Sequence, residues 1–176
     1  MPRVESTVVV PLPTGRAFAL SQTYGELRYR WDPFVREQRL LDGATAAGKG
    51  VRTWTRSRHR LTMVSEYVTF RPPTQVGMKM VTGPPFFRSF SGGWNFTPVD
   101  EDGTSTRATW RYNFTIRPAW LAPLSDRIGV WLLGRDIRRR HLTIFHADLA
   151  ARTTRSAGEI PEEGSTARRG RGAGRA

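Results

Sequence analysis

Ser65 and Tyr67 stand two residues apart in a stretch, Leu61 to Arg71, that reads as a strand. Such hydroxyls can hydrogen-bond a polar group of a bound molecule, although a Ser and a Tyr on an ordinary strand is the competing reading. An aromatic set, Trp31, Phe34, Trp94, Trp110, Tyr112 and Phe114, either lines a cavity or fills a core. Cavity is the expectation for Trp94, Trp110 and Tyr112. On the last helical segment Trp131, Arg135, Arg138, Leu142, Phe145 and Leu149 follow a 4-3-4-3-4 spacing and share one stripe. Turned inward, Arg135 or Arg138 would hold a carboxylate, enolate or phenolate, because a buried arginine needs a partner. Turned outward, each lays its stem over apolar neighbours. The opposite stripe, Leu133, Ile137 and Ile144, is apolar too; the longer one is expected to meet the sheet.

Other chemistries find little support. Gly43 to Gly50 nearly spells a phosphate-binding loop, but Gly50 stands where magnesium needs a hydroxyl, and a strand follows instead of a helix. His59, His141 and His146 offer no metal-ligand spacing, and no Gly-x-Ser-x-Gly elbow occurs. Zero cysteines exclude disulfides, thiolate metal sites and cysteine nucleophiles. Neither metal nor cofactor is expected.

The elements that must position these groups are predominantly strands. Val4 to Val10 alternates and is rich in β-branched residues; further strands are predicted at 35–41, 50–58, 61–71, 75–82, 88–98 and 104–117. Short helical turns carrying Ala17, Phe18 and Leu20 precede Trp31, and Ser125-Asp126 can cap a long helix running to about Arg152. The last strand is the clearest: Ala108, Trp110, Tyr112, Phe114 and Ile116 point one way, Arg107, Thr109, Arg111, Asn113 and Thr115 the other. The order predicts an α+β fold in which a curved antiparallel sheet and one long helix enclose a space that side chains need not fill.

At 176 residues one domain is expected, over residues 1–152. From Thr153 to Ala176 the aromatics vanish, and Gly, Ser, Arg and Glu cannot bury enough apolar surface to offset ordering, so a disordered Arg/Gly-rich tail is predicted. The net charge is +13, and Lys49 and Lys79 are the only lysines. Arginine forks suit phosphate, yet so arginine-heavy a composition is also what codon bias produces. No apolar run approaches the roughly 20 residues of a membrane span, so a cytoplasmic location without a membrane span is expected.

At Trp31-Asp32-Pro33-Phe34, and at Gly93-Trp94-Asn95-Phe96-Thr97-Pro98-Val99 followed by Asp102-Gly103-Thr104, the chain resembles the polyketide cyclase/dehydrase and lipid-transport family of the START-like (SRPBCC) superfamily. The resemblance covers residues 3 to about 151. It implies a helix-grip fold, a curved seven-stranded antiparallel sheet wrapped around a long C-terminal helix with a hydrophobic tunnel between them. A narrower likeness, at Val64-Ser65-Glu66-Tyr67 and Thr82-Gly83-Pro84, is to bacterial aromatase/cyclases, which fold poly-β-ketone chains. Where those enzymes place a carbonyl-polarising arginine this chain has Tyr67, and Gln38 stands near where a tyrosine is expected, so the likeness leaves Ser65 and Tyr67 as the candidates for catalysis, orienting a ketone by hydrogen bonding.

The resulting expectation is binding or carriage of an apolar molecule, polyketide-, aromatic- or isoprenoid-like and carrying an anionic group if an arginine faces it. A cyclase-type enzyme working without metal or cofactor is the alternative. A third reading, an RNA- or anionic-surface-binding module, would use Arg52, Arg56, Arg58 and the tail; a nucleic-acid partner is not expected. Oligomeric state is not legible.

Overall fold

The structure, a computed structural model, describes residues 2–117, 127–141 and 143–145. Its elements run β1 (Arg3–Val10), α1 (Thr14–Ser21), α2 (Glu26–Trp31), β2 (Val35–Leu40), β3 (Arg52–Ser57), β4 (Thr62–Arg71), β5 (Gln75–Thr82), β6 (Phe87–Pro98) and β7 (Thr106–Ile116). A final helix, α3, covers 127–141 and 143–145. Each predicted strand is present within two residues of its expected ends. The proposed cap at Ser125-Asp126, the helix beyond 145 and the tail from Thr153 lie outside the described residues.

All seven strands form one antiparallel sheet in the order β1-β7-β6-β5-β4-β3-β2. The period-two pattern decides which face is inner. On β7 Thr106, Ala108, Trp110, Tyr112 and Phe114 are buried, while Arg107 between them is exposed. On β1 Val4, Ser6 and Val10 are buried against exposed Arg3, Glu5, Thr7 and Val9. Register then aligns inner residues into rows across the sheet. One row runs Tyr67–Met78–Gly92–Tyr112–Val4, and the next Phe70–Val76–Trp94–Trp110–Ser6.

Two helices close one end. Pro11 and Pro13 stop β1, and α1 starts directly after Pro13, whose φ of −58° suits a helix start. Phe18 of α1 packs edge-on against Phe70 and Phe96 at 5.7 and 5.8 Å. Pro33 forces the residue before it out of the helical region, so α2 ends at Trp31 and Asp32 is extended (φ −93°, ψ 101°). That extended exit turns the Asp32 side chain into the interior, where it is fully buried.

α3 meets the sheet with the stripe that the spacing argument set aside. Ile137, Arg140, His141 and Ile144 are buried, with Leu133 partly so, and of the longer stripe's described residues Phe145 is buried with them as expected. Trp131 is 61% exposed, and Arg135 and Arg138 are exposed as well; Leu142 and Leu149 lie outside the described residues. The expectation that Arg135 and Arg138 border the cavity is therefore corrected. The reason is counter-charge. Burying Arg135 and Arg138 would have stripped two guanidiniums of water, whereas the chosen face sets Arg140 against Asp32 at 2.7 Å and His141 Nδ1 against Ser6 Oγ at 2.9 Å.

Candidate functional site

Between the concave sheet and α3 lies a cavity of about 620 Å³. Gly92 and Gly93 of β6 are part of its lining, at positions where packed neighbours leave no room for a side chain. A Cβ on Gly92 would stand 2.5 Å from Tyr112 Cδ1, and one on Gly93 2.1 Å from the Val76 carbonyl oxygen. Glycine at these two positions lets the Tyr112 ring lie over β6 and lets β5 and β6 pair. The walls are largely apolar, built from Met63, Met78, Met80, Phe87, Phe90 and Leu133. At the opening Leu61, Phe86, Ile128 and Leu132 are exposed.

Three polar groups interrupt this lining. The first is charged and stands under α3. Asp32 accepts from Arg28 Nε at 2.9 Å, Arg140 Nη2 at 2.7 Å and the backbone N–H of Phe34 and Val35 at 3.0 and 3.3 Å. Burial alone would raise the Asp32 pKa, but the adjacent Arg140 and Arg28 guanidiniums win and hold it below the usual carboxylate range. Arg140 also donates to Tyr112 Oη at 3.1 Å and Asp136 at 3.3 Å, and its guanidinium lies over the Phe34 and Trp110 rings at 4.9 and 4.8 Å. Two arginines thus face two carboxylates, and the cluster is formally neutral. Burial pushes the Tyr112 phenol up to about 12 despite the nearby guanidinium, so it keeps its proton.

The second group joins Tyr24, Tyr67 and Gln22. The two phenols share a short hydrogen bond, and Tyr67 Oη donates to Gln22 Oε1 at 3.3 Å. Burial raises the Tyr67 pKa above the ordinary tyrosine range, with Tyr24 adding to the rise. Tyr67 therefore stays neutral and serves as a hydrogen-bonding group rather than a base. The third group is a shelf on β2, β3 and β4: Gln38, Thr55 and Ser65 line one end of the cavity, and Gln38 Nε2 donates to Thr55 Oγ1 at 3.2 Å.

Of the residues singled out from sequence, Phe34, Ser65, Tyr67, Trp94, Trp110 and Tyr112 line the cavity. Trp31 and Phe114 do not, and their expected ligand-binding role is corrected. Trp31 is buried with Arg28 over its ring at 4.3 Å and its Nε1 donating to Thr23 Oγ1 at 3.0 Å. Phe114 is fully buried beside Phe87, with Gly129 of α3 close enough that a Cβ there would strike its ring at 2.8 Å. Trp94 and Trp110 serve both purposes, stacked on each other at 4.4 Å with 5% and 4% exposure while each shows an edge to the cavity.

Sequence reasoning missed Arg28, Arg140 and Asp136. A signal existed for Arg140: Leu133, Ile137, Arg140 and Ile144 follow a 4-3-4 spacing, which places it in the buried stripe. Among the described residues no three His, Asp or Glu side chains gather as metal ligands, and no helix is long and apolar enough to cross a membrane.

The family model for polyketide cyclase/dehydrase and lipid transport matches residues 1–149. No curated protein matches the chain. Among solved structures, a protein of Thermus thermophilus is similar at 16% identity and a TM-score of 0.67, over 85% of this chain and 99% of that one. The Zhui aromatase/cyclase from Streptomyces sp. R1128 is similar at 19% identity and a TM-score of 0.64, over 90% and 98%. A START superfamily protein from Mycobacterium smegmatis follows at 12% identity and a TM-score of 0.58, over 80% and 99%. At these identities the likeness speaks for the shared helix-grip fold.

Proposed function

The chain belongs to the polyketide cyclase/dehydrase and lipid-transport family, and from that premise we propose that it binds and carries a neutral, largely apolar small molecule between sheet and helix. The cavity supports this reading: at about 620 Å³ it falls within the roughly 300–1,000 Å³ of small-molecule sites, with apolar walls and a few polar groups. Neutrality is favoured by the outward direction of Arg135 and Arg138 and by the carboxylates that already match Arg28 and Arg140. An anionic ligand would have to displace Asp136 or stand beside it.

The test is titration with N-phenyl-1-naphthylamine, a neutral fluorophore. Saturable one-to-one binding is expected, weakened about tenfold by Met80→Trp, which fills the cavity. Absence of saturable binding, or equal affinity in a folded Met80→Trp protein, refutes the reading.

A cyclase-type reaction is the second reading, favoured by one observation. The Tyr112 hydroxyl accepts from Arg140 and keeps a proton that no acceptor among the described residues receives, so it can donate to a substrate carbonyl. Under this reading Tyr112→Phe abolishes cyclisation of a poly-β-ketone analogue while N-phenyl-1-naphthylamine still binds. Ser65 and Tyr67 would then orient the chain rather than move its protons.

A further inference from the structure

The opening of the cavity gathers exposed apolar side chains from three elements. Leu61 of the β3–β4 connection, Phe86 of the β5–β6 connection, and Ile128 and Leu132 of α3 all line the cavity, yet they are between 39% and 52% exposed. Trp131 is more exposed still; it adjoins Leu132 and stands three residues from Ile128, so it neighbours both on the surface of α3. A single exposed apolar side chain is ordinary, but several around one opening mark a surface that meets another phase or partner.

The charge on the same segments has one sign. Arg58 and Arg60 precede Leu61, Arg88 follows Phe87, and Arg127 and Arg135 stand one helical turn to either side of Trp131. All five are exposed, and none forms an ion pair with another described residue. Residues 57–63, 80–90 and 127–135 contain no Asp or Glu. Asp136, which lines the cavity, is engaged by Arg140 at 3.3 Å. A second copy of the chain would bring the same arginines to the contact, so like charge opposes self-association through this rim. A bilayer with anionic headgroups suits both parts of it. The apolar side chains enter the acyl boundary, and the arginines reach the phosphates. Trp131, with an apolar body and a polar N–H, fits the level between them. The bilayer is also the phase in which a neutral apolar molecule concentrates.

We propose that the rim of the cavity, with Trp131 and its flanking arginines, is a docking surface for an anionic lipid bilayer, across which the ligand passes directly between membrane and cavity. Docking stands on the rim alone, whereas passage of a ligand rests on the proposal that the cavity binds a neutral apolar molecule.

Cosedimentation of the full chain with vesicles of equimolar phosphatidylcholine and phosphatidylglycerol, and with vesicles of phosphatidylcholine alone, reads docking without a ligand. The mixed vesicles are expected to bind at least about 10-fold more tightly. Arg127→Ser with Arg135→Ser should weaken that binding about 10-fold or more, at roughly 5-fold per arginine, and Trp131→Ser about 5-fold. The same change of charge at the far end of the sheet, Arg71→Ser with Arg107→Ser, should weaken it less than about 3-fold. An equal loss in that control pair shows attraction by the overall charge. A loss in the rim arginine pair with none in Trp131→Ser shows a purely electrostatic contact, of the kind an acidic protein makes. Either result, or no preference for anionic vesicles, overturns the proposal. Titration with N-phenyl-1-naphthylamine in the absence of vesicles separates the two readings. If the fluorophore binds and the mixed vesicles do not, the docking surface is overturned and the cavity reading stands. If the vesicles bind as expected and the fluorophore does not, docking is upheld and passage of a ligand is overturned.

Discussion

Replacing Asp32 by Asn tests the charged cluster that holds α3 to the sheet. Asn keeps the shape and an oxygen to accept the Phe34 and Val35 N–H groups, so the change isolates the charge. What remains is two buried guanidiniums, Arg28 and Arg140, with only Asp136 to balance them, and Asp136 is 31% exposed by side chain. Breaking a buried pair from one side costs roughly 3–5 kcal/mol, because the partner charge stays behind without compensation. For a domain of this size that amounts to a fall in Tm on the order of 10 °C. Far-UV circular dichroism against temperature and urea measures it without relying on tryptophans near the site. The pH dependence supplies an independent check. Since the folded pKa of Asp32 is depressed, its contribution is complete above its ordinary value of about 3.9 and is lost as pH falls from there towards the folded value. Wild type should therefore lose more stability than Asp32→Asn in that acid range, and the two should converge. A loss below about 1 kcal/mol, or parallel acid limbs, would refute the reasoning. So would a double variant with Arg140→Met whose loss equals the sum of the single losses, since coupled groups do not add.

Trp110→Ala should cost roughly 3–5 kcal/mol in urea denaturation and also weaken N-phenyl-1-naphthylamine, because the ring is both core and cavity wall; loss of affinity at unchanged stability contradicts this. Burial pushes the His141 imidazole down to about 4, so the folded protein keeps it neutral while the unfolded chain takes up a proton below about 6.5. Wild type should then lose up to roughly 3 kcal/mol between those pH values, and His141→Phe should flatten that limb; identical slopes would show His141 charged in the fold. Gly93→Ala should destabilise by more than about 2 kcal/mol, since its Cβ would meet backbone that cannot move aside; near-wild-type melting would mean that β5 and β6 yield. Arg135→Met and Arg138→Met should leave N-phenyl-1-naphthylamine affinity within twofold in the same titration, being on the outer face of α3.

The sheet was legible because β-branched alternation and Gly/Pro punctuation are local signals, strongest on β7, where five inward positions alternate without a break. The choice of face on α3 was not, because two apolar stripes compete on that helix and the deciding term is a contact with Asp32, more than a hundred positions earlier in the chain. The Trp31-Asp32-Pro33-Phe34 motif was recognisable as a sequence, but its physical content was not. Its carboxylate anchors two arginines, and Trp31, which looked like a ligand contact, supports the anchor from behind. Gln38 was noticed only as a departure from an expected tyrosine. The hydrogen bond from its backbone N–H to Tyr29 Oη and its pairing with Thr55 depend on edge position and register, which spacing alone does not reveal.

The strand order has a consequence for how the chain comes to fold. β2 through β7 form a meander in which every strand pairs with its immediate successor, so those pairings close short loops. β1 is different: its sheet neighbour is β7, with Arg3 opposite Asn113. Its ladder closes a loop of about a hundred residues, and such closure is entropically expensive until the rest of the sheet supplies a template. Amides of β1 should accordingly gain protection last in pulse-labelled refolding. During synthesis the first strand must wait, unpaired, until the last strand has emerged. The charged side chains on its outer side, Arg3 and Glu5, keep that face of the waiting strand in water.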